Sequence, residues 1–295
     1  MPDRPRLHIA IVTYDAQPEV TDDDRLLAAA LSARGVSVRA VPWSDPATRW
    51  SAFDAVVVRS CWDYFRRPGE FHTWLDRLEA ERSRVHNDVP ILRWNADKAY
   101  LRDLDAGGVP VIPTRWLGGG SAVSLGELRR DTGWTELVVK PNVSGGGHRT
   151  WRSIPDAEAS DDARLAEMID AGAVMVQPLV REIARDGEWS LVFFAGAYSH
   201  AVVKRPRSGD FRVQSEHGGT FESAEPGASV IAAAERAIAA IPLGESAPLY
   251  ARVDGCVVDG GLLLMELEVL EPELFLRSAA AAAGRLADAL LARMS

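Results

Sequence analysis

The feature that most constrains this chain is a pair of apolar segments near its C-terminus, 249–258 and 262–269, in which charged residues stand at every second position over 252–254 and 266–268. A period of two is typical of half-buried β-strands, because successive side chains point to opposite faces of a sheet. A three-residue turn at 259–261 joins the segments into a predicted hairpin. One face of this hairpin is wholly apolar, so we expect it to face the core. That face carries Ala251, Val253, Val257, Leu263, Met265, Leu267 and Val269.

The other face of the predicted hairpin carries four charges. Asp254 lies opposite Glu266, because directly paired residues share a face. By the same register Arg252 lies opposite Glu268. Three carboxylates on a half-buried face repel one another unless a cation lies among them, and such hard oxygen ligands suit Mg²⁺. The pattern predicts a metal site formed by the three acids; the alternative is a solvated polar face on which Arg252 pairs with them.

Lysine placement is a second signal, because the chain has few lysines. Lys98 begins a predicted helix, whereas Lys140 and Lys204 each end an apolar strand. Cations at strand ends tend to face a cleft, and an ammonium group is a compact charge suited to a phosphate oxygen. The Ser-Gly-Gly-Gly loop at 144–147 can bring backbone N–H groups close to the same anion. Each feature alone fits a solvated strand end or an ordinary loop. Together with a magnesium site they indicate a clamp for a nucleoside triphosphate.

The first part of the chain has the pattern of an α/β protein. Apolar runs at 7–12, 36–41 and 55–58 predict buried parallel strands, and helices are predicted at 25–33 and 68–82. This rhythm indicates an open α/β layer over roughly the first 90 residues. The sequence has no G-x-G-x-x-G after the first strand and no G-x-x-x-x-G-K-S/T, which argues against dinucleotide-dependent oxidoreductases and P-loop NTPases.

Elements of both kinds are predicted beyond this layer. The predicted strands lie at 137–139, 174–177, 188–194, 197–203, 249–258 and 262–269, and the predicted helices at 98–106, 229–240 and 272–294. Hairpins among these strands indicate antiparallel sheets. We therefore expect a mixed α/β protein whose later part is of α+β type.

Charge and cysteine usage narrow the possible partners. Acidic residues outnumber basic ones by 42 to 33, giving a net charge of −9, which disfavours binding to nucleic acid. The two cysteines have no metal-ligand spacing and indicate a reducing compartment. No apolar run approaches the length of a membrane span. We expect a cytoplasmic protein without nucleic-acid or membrane partners, and a homo-oligomer is possible.

These motifs, in this order, resemble the ATP-grasp superfamily over residues 95–271. The resemblance implies an N-terminal α/β domain (1–92) and two α+β subdomains (93–178 and 179–295) that clasp ATP. The implied nucleotide-binding residues are Lys98, Lys140, Ser144, Gly145, Gly146, Gly147, Gln177, Leu179, Val180, Glu188 and Arg212. The implied Mg²⁺ ligands are Asp254, Glu266 and Glu268, where Glu268 replaces the family's usual Asn. Transition-state charge is assigned to Arg252, Lys204 or Arg205.

The segments 59–64, 199–206 and 268–272 are most similar to the cyclo-ligases that close O-ureido-D-serine into D-cycloserine. Such enzymes convert a carboxylate to an acyl phosphate, which the aminooxy nitrogen of the same small amino-acid-like molecule attacks. Two alternatives remain open: a ligase that joins two separate molecules, and a non-catalytic ATP sensor.

Substrate contacts are expected beyond the third strand and near the C-terminal end of the hairpin. Arg59 is a candidate for the substrate carboxylate and Asp63 for its α-ammonium, unless the two form an internal ion pair. Glu271 is a second candidate for the amine, unless it caps the final helix. His148 and His200 are possible general bases, although the sequence favours loop or core roles for both.

Overall fold

The computed structural model describes residues 7–155, 158–242 and 246–295, which form three sheets. The first sheet is parallel, with strand order β2-β1-β3-β4. Its region contains β1 (His8–Thr13), α1 (Asp22–Ser32), β2 (Ser37–Pro42), β3 (Ala55–Val58), α2 (Pro68–Ala80) and β4 (Val85–His86). Helix α1 begins three residues before its predicted start, because the Thr21 side chain accepts a hydrogen bond from the Asp24 amide and caps it.

The second sheet is antiparallel, in the order β5-β8-β6-β7. Its region contains α3 (Val89–Asn95), α4 (Tyr100–Ala106), β5 (Arg115–Leu117), α5 (Leu125–Thr132), β6 (Leu137–Pro141), β7 (Trp151–Ser153), α6 (Glu158–Ala171) and β8 (Val174–Pro178). Leu137 and Val139 of β6 pack into a core shared with α5 and α6. Because strand residues alternate between faces, Val138 and Lys140 lie on the other side, where a large cavity opens.

The third sheet is antiparallel, in the order β11-β10-β9-β12-β13. Its region contains α7 (Glu182–Asp186), β9 (Glu188–Phe194), β10 (Ala197–Arg205), β11 (Thr220–Ser223), α8 (Ala228–Ala239), β12 (Tyr250–Val258), β13 (Gly261–Glu268) and α9 (Ala282–Ala292). Helices α4 and α8 share a core with this sheet, and α9 packs against α1 and β9. The three predicted domain ranges each contain one sheet, although α4 packs outside the sheet of its own range. None of the described helices is long and apolar enough to cross a bilayer.

The last hairpin keeps the predicted charged pairs but reaches them by a different turn. Asp259 and Gly260, both with positive φ, form a two-residue turn. A β-bulge at Met265 then shifts the register by one residue and restores the pairs Asp254–Glu266 and Arg252–Glu268.

The shorter turn and the bulge together change which side chains of β13 face the core. Leu262 and Leu264 point into the core, so the expectation that Leu263 and Met265 face it is wrong. A one-residue change in turn length reverses every side chain between the turn and the bulge.

The final helix was predicted from 272 and begins at Ala282 instead. Residues 272–275 lack regular secondary structure, and Phe275 and Ala281 have positive φ. Side chains elsewhere in the molecule bond to the carbonyls of this segment, as described below. Those bonds take the place of helical hydrogen bonds at the start of the predicted helix.

Candidate active site

A cavity of about 1020 Å³ lies where the three sheets meet, and all three lysines of the sequence line it. The side chains of Lys98, Lys140 and Lys204 are 11%, 9% and 10% exposed. Lysine is rarely buried unless it is paired, because its ammonium group is strongly hydrated. Because every lysine of the chain lines this one cavity, three compact positive charges are concentrated there.

Lys98 and Lys140 reach the cavity from different elements and converge on Glu266. Their Nζ atoms lie 3.8 and 3.6 Å from Glu266 Oε1. Lys98 Nζ also donates to the Ser144 carbonyl oxygen at 2.6 Å, which ties it to the glycine-rich loop. Burial lowers the pKa of Lys140, and Glu266 opposes that effect. Burial would raise the pKa of Glu266, but the two lysines outweigh it and the pKa is lowered.

The three acids of the last hairpin form a compact cluster. Asp254, Glu266 and Glu268 each offer a carboxylate oxygen, and these oxygens lie within 4.8 Å of one another. Arg252 donates to Asp254 from Nε (3.0 Å) and Nη2 (2.8 Å), and from Nη2 to Glu268 (2.6 Å). The arginine pairing that the sequence left as an alternative is therefore present. It accounts for two of the three acids.

Burial and the neighbouring cations shift the pKa values of this cluster in different directions. Burial would raise the pKa of Asp254, but Arg252 and Lys204 outweigh it and lower the pKa to about 2. Burial raises the pKa of Glu268 to about 8; Asp254 adds to this effect and Arg252 opposes it. Three clustered carboxylate oxygens are a donor set that fits a divalent cation such as Mg²⁺.

Lys204 and Glu188 form an ion pair on the same wall. Lys204 Nζ lies 2.5 Å from Glu188 Oε1 and 3.6 Å from Asp254 Oδ1. Burial would lower the pKa of Lys204, but Asp254 and Glu188 outweigh it and raise the pKa. The prediction that Arg205 joins this site is wrong. Arg205 is exposed, lies outside the cavity lining and pairs with Glu222. Adjacent strand residues point to opposite faces, so only Lys204 can face inward.

The glycine-rich loop, residues 144–147, lines the cavity and lies close to the regions of the first and third sheets. A Cβ added at Gly145 would lie 3.1 Å from the Phe65 ring, which belongs to the N-terminal layer. His217 Nε2 donates to the Gly146 carbonyl oxygen at 3.2 Å. Arg212 lines the cavity close by, and Asp210 holds its guanidinium through two bonds, at 2.8 and 3.1 Å.

One part of the wall is apolar. Gln177, Leu179 and Val180 line it as predicted residues of the nucleotide pocket, and Met265 joins them. Sequence reasoning placed Met265 in the core because the turn length was taken one residue too long. Gln177 Nε2 donates to Thr114 Oγ1 at 2.8 Å, which fixes the orientation of its amide.

Arg59 and Asp63 correct the sequence-based expectation that they bind substrate. Arg59 is 2% exposed, and its Nε donates to Asp24 Oδ1 at 2.8 Å. Asp63 accepts from Trp43 Nε1 (2.7 Å) and Arg67 Nη2 (2.6 Å). Both residues lie outside the cavity lining, and their recorded bonds run to other partners rather than to each other.

Glu271 does line the cavity, as predicted, beside an aromatic wall. Burial raises its pKa to about 7, and Lys98 opposes this rise. This wall consists of Tyr14, Trp62, Tyr64 and Phe65, with Arg66 beside them. Its residues were missed because they follow β1 and β3 in loops and a short 3₁₀ turn (Tyr64–Arg66) without a pattern of their own, although cavities at the carboxyl ends of parallel strands are a general signal. His148 also lines the cavity, whereas His200 lies outside the lining and its Nε2 donates to the Leu274 carbonyl oxygen.

Comparison with known proteins shows the family to which the chain belongs. A family model for the N-terminal domain of D-cycloserine synthetase DcsG matches residues 9–87. The chain is 34% identical to the cycloserine biosynthesis protein DcsG of Streptomyces lavendulae over 297 residues, which cover 97% of this chain and 98% of that protein. The crystal structure of D-cycloserine synthetase DcsG matches with a TM-score of 0.88 and 31% identity, over 98% of this chain and 100% of that one.

More distant structures share the fold alone. D-alanine–D-alanine ligase from Bacillus anthracis complexed with ATP has a TM-score of 0.67 at 18% identity, over 98% of this chain and 97% of that one. The RimK domain ATP-grasp protein of Sphaerobacter thermophilus has a TM-score of 0.71 at 20% identity, over 95% and 98%. Together with the DcsG matches, these structures show that the protein is an ATP-dependent ligase of the ATP-grasp fold, as the resemblance predicted. Within that class, the chain belongs to the D-cycloserine synthetase DcsG family.

Proposed function

We propose that the protein closes O-ureido-D-serine into D-cycloserine, using ATP and Mg²⁺. The observation that carries this proposal is the convergence of every lysine and a three-carboxylate cluster on one cavity, in a chain of the DcsG family. The substrate carboxylate takes the γ-phosphoryl group of ATP, and the aminooxy nitrogen displaces phosphate to close the ring. Water takes up the carbamoyl group, which leaves as carbon dioxide and ammonia.

The charged wall would hold the triphosphate. Lys98 and Lys140 would bind phosphate oxygens in place of Glu266, their partner in the structure. Asp254, Glu266 and Glu268 would hold Mg²⁺, which when bound neutralises charge on the phosphates. Arg252 and Lys204 border this cluster and would stabilise negative charge during transfer.

The remaining walls would hold the base and the amino acid. Leu179, Val180 and Met265 offer apolar surface to the adenine ring. Glu271 would accept the α-ammonium of the substrate. Holding both reacting ends of one molecule in a closed pocket replaces a bimolecular encounter, which favours ring closure over ligation to a second molecule. Both cysteines are free and buried, which supports a cytoplasmic location.

Product analysis is the direct test. The purified protein with O-ureido-D-serine, ATP and Mg²⁺ should release ADP, phosphate and D-cycloserine in equal amounts, measured by mass spectrometry. ADP release only when a second amine is added would instead indicate an intermolecular ligase. ATP binding without ADP release under any amino-acid mixture would indicate a sensor.

The rarity of lysine allows a test of the nucleotide clamp that needs no amino-acid substrate. An amine-acylating reagent can modify only Lys98, Lys140, Lys204 and the N-terminus. We expect a non-hydrolysable ATP analogue with Mg²⁺ to protect Lys98 and Lys140 from acylation, quantified by peptide mass spectrometry. The N-terminal amine serves as the internal control, and equal acylation of both lysines with and without the analogue would contradict the clamp.

A further inference from the structure

The segment 270–274 runs along the cavity wall and carries Glu271, yet it belongs to no helix or strand. Four consecutive carbonyl oxygens, at 271–274, each accept a hydrogen bond from a different side chain. The donors are Trp62 Nε1 to Glu271 (3.1 Å), Arg59 Nη2 to Pro272 (2.8 Å), Arg252 Nη1 to Glu273 (2.9 Å) and His200 Nε2 to Leu274 (2.9 Å). The Tyr250 hydroxyl lies 3.3 Å from the Leu270 carbonyl oxygen, but its single proton goes to the closer Val58 carbonyl oxygen.

Such an arrangement has a physical cause. Buried backbone carbonyls must be hydrogen-bonded, and an irregular segment cannot satisfy them within itself. Side chains can do so only if they are themselves held in place. Here the donors come from three separate parts of the chain, so the path of the segment depends on the tertiary structure around it.

Arg59 is a fully buried donor that is held by an ion pair. Its Nε donates to Asp24 Oδ1 at 2.8 Å, and Asp24 also accepts from Thr21 Oγ1 at 3.0 Å. The guanidinium lies 5.0 Å from the centroid of the Tyr250 ring. A buried ion pair adds little net stability, because removing both charges from water is costly. Its position between α1 and the Pro272 carbonyl suggests a role in geometry instead.

Trp62 acts on the neighbouring carbonyl from the N-terminal layer. Its ring lines the cavity, and its N–H fixes the carbonyl of Glu271 itself. The backbone that follows the Cα atom of Glu271 is therefore held at two successive carbonyls, by Trp62 and by Arg59.

We infer that Arg59 and Trp62 are positioning residues, which hold the backbone at 271–272 so that the Glu271 carboxylate faces the α-ammonium of the substrate. The inference rests on the proposed function. It gives Arg59 an indirect role in place of the direct substrate contact expected from the sequence. The two residues lie in the N-terminal layer, so they couple that layer to the amino-acid end of the cavity.

Kinetics of matched tryptophan variants test the inference. Trp62→Phe removes one N–H and keeps an aromatic ring, and Trp43→Phe does the same at a bond to Asp63 that does not involve the segment. We expect Trp62→Phe to raise the KM for the amino-acid substrate about tenfold with the KM for ATP unchanged, the size that a lost bond of this kind gives. Trp43→Phe should change neither. Equal changes in both KM values, or none, would overturn the inference.

Arg59→Lys provides the second variant, because a lysine can reach Asp24 or the Pro272 carbonyl but lacks the fork that bonds both. Hydrogen exchange of the free protein is then read for residues 270–276 and, as the internal control, for β9. In both Arg59→Lys and Trp62→Phe we expect exchange of 270–276 to be about tenfold faster, with β9 unchanged. Unchanged exchange of 270–276 in both variants would also overturn the inference. This readout needs no substrate, so a failure of the proposed reaction, seen in the unmodified protein, is distinguishable from a failure of the inference.

Discussion

The two ends of the cavity are built in different ways. At the charged end, Lys140, Lys204, Asp254 and Glu266 all project from strands whose alternate residues fill a core. At the other end, where the amino acid is proposed to bind, Trp62 lies in a loop, Tyr64–Arg66 form a single 3₁₀ turn, and Glu271 lies in the irregular segment 270–274, which side chains hold in place. Regular strands fix directions by hydrogen-bonded ladders, whereas loops depend on individual bonds.

From this difference we expect substitutions at the two ends of the cavity to affect different steps of the reaction. Substitutions at the charged end should impair every ATP-dependent step, because the same charges serve any acyl phosphate chemistry. Substitutions at the amino-acid end should change which substrate is used and how tightly it binds. The relatives that share only the fold, at 18–20% identity, are consistent with a scaffold that supports different substrates.

The largest expected effect is that of Lys140→Ala. If Lys140 binds phosphate oxygens of ATP as proposed, loss of its buried charge should lower kcat/KM by about 100- to 1000-fold, measured as ADP release. The fold should remain, because Lys140 lies at the end of β6 beside the cavity and outside the core of its sheet.

Arg205→Ala is the matched control for this variant. It also removes a strand-end cation, but one that is exposed and paired with Glu222, so ADP release should be unchanged. Near-normal activity in Lys140→Ala with an unchanged circular dichroism spectrum would contradict the nucleotide clamp. The charged end of the cavity would then not have the ATP-binding role that distinguishes it from the other end.

A smaller effect is expected when one of the proposed metal ligands loses its charge. Glu266→Gln and Glu268→Gln should each raise the Mg²⁺ concentration for half-maximal activity by about tenfold, because Mg²⁺ binds through one or two carboxylates plus phosphate oxygens. The measurement is a Mg²⁺ titration of ADP release. Glu222→Gln, at an exposed ion pair of the same sheet, is the control. Identical titrations for both variants and the unmodified protein would remove the metal assignment.

The charged end is also the part that the sequence could predict. Charged pairing in the last hairpin follows from alternation, and the pairs Asp254–Glu266 and Arg252–Glu268 are confirmed even though the turn is one residue shorter. Local patterns cannot reveal a compensating bulge, so Met265 was assigned to the wrong face.

The amino-acid end could not be predicted in the same way, because its contacts join distant parts of the chain. Arg59 bonds to Asp24, 35 residues earlier, and to Pro272, 213 residues later. The predicted helix began at Pro272, but tertiary bonds to the carbonyls of 272–274 override the helical preference of the residues there. The dependence on distant partners is what the positioning role of Arg59 and Trp62 would explain.

A modest effect is expected where the two ends meet. Gly145→Ala places a methyl group 3.1 Å from the Phe65 ring, so the glycine-rich loop or the ring must shift. We expect kcat/KM to fall about fivefold, since a displaced loop binds the phosphates less well. Phe65→Leu in the same chain should restore part of this loss, because the smaller side chain makes room. Additive losses in the double variant would show that the contact does not link the two ends.

The smallest expected effect concerns stability and separates acid unfolding from acid inactivation of the charged end. Burial, with Arg293 and Arg84 adding to it, lowers the pKa of His86 on β4 from 6.5 to about 4. The folded state therefore binds fewer protons than the unfolded state between these values. The contribution of neutral His86 to the stability of the folded state is complete above pH 6.5 and is lost as the pH falls towards 4.

Urea unfolding at pH 7 and pH 5 should show that the unmodified protein loses about 1–2 kcal/mol more than His86→Gln, which cannot take up the proton. If activity nevertheless falls by the same factor in both proteins over this range, the loss arises from the ionisation of groups in the cavity rather than from unfolding of the N-terminal layer. A smaller loss of activity in His86→Gln would instead show that the N-terminal layer limits function in acid, and that the two ends of the cavity are less independent than their construction suggests.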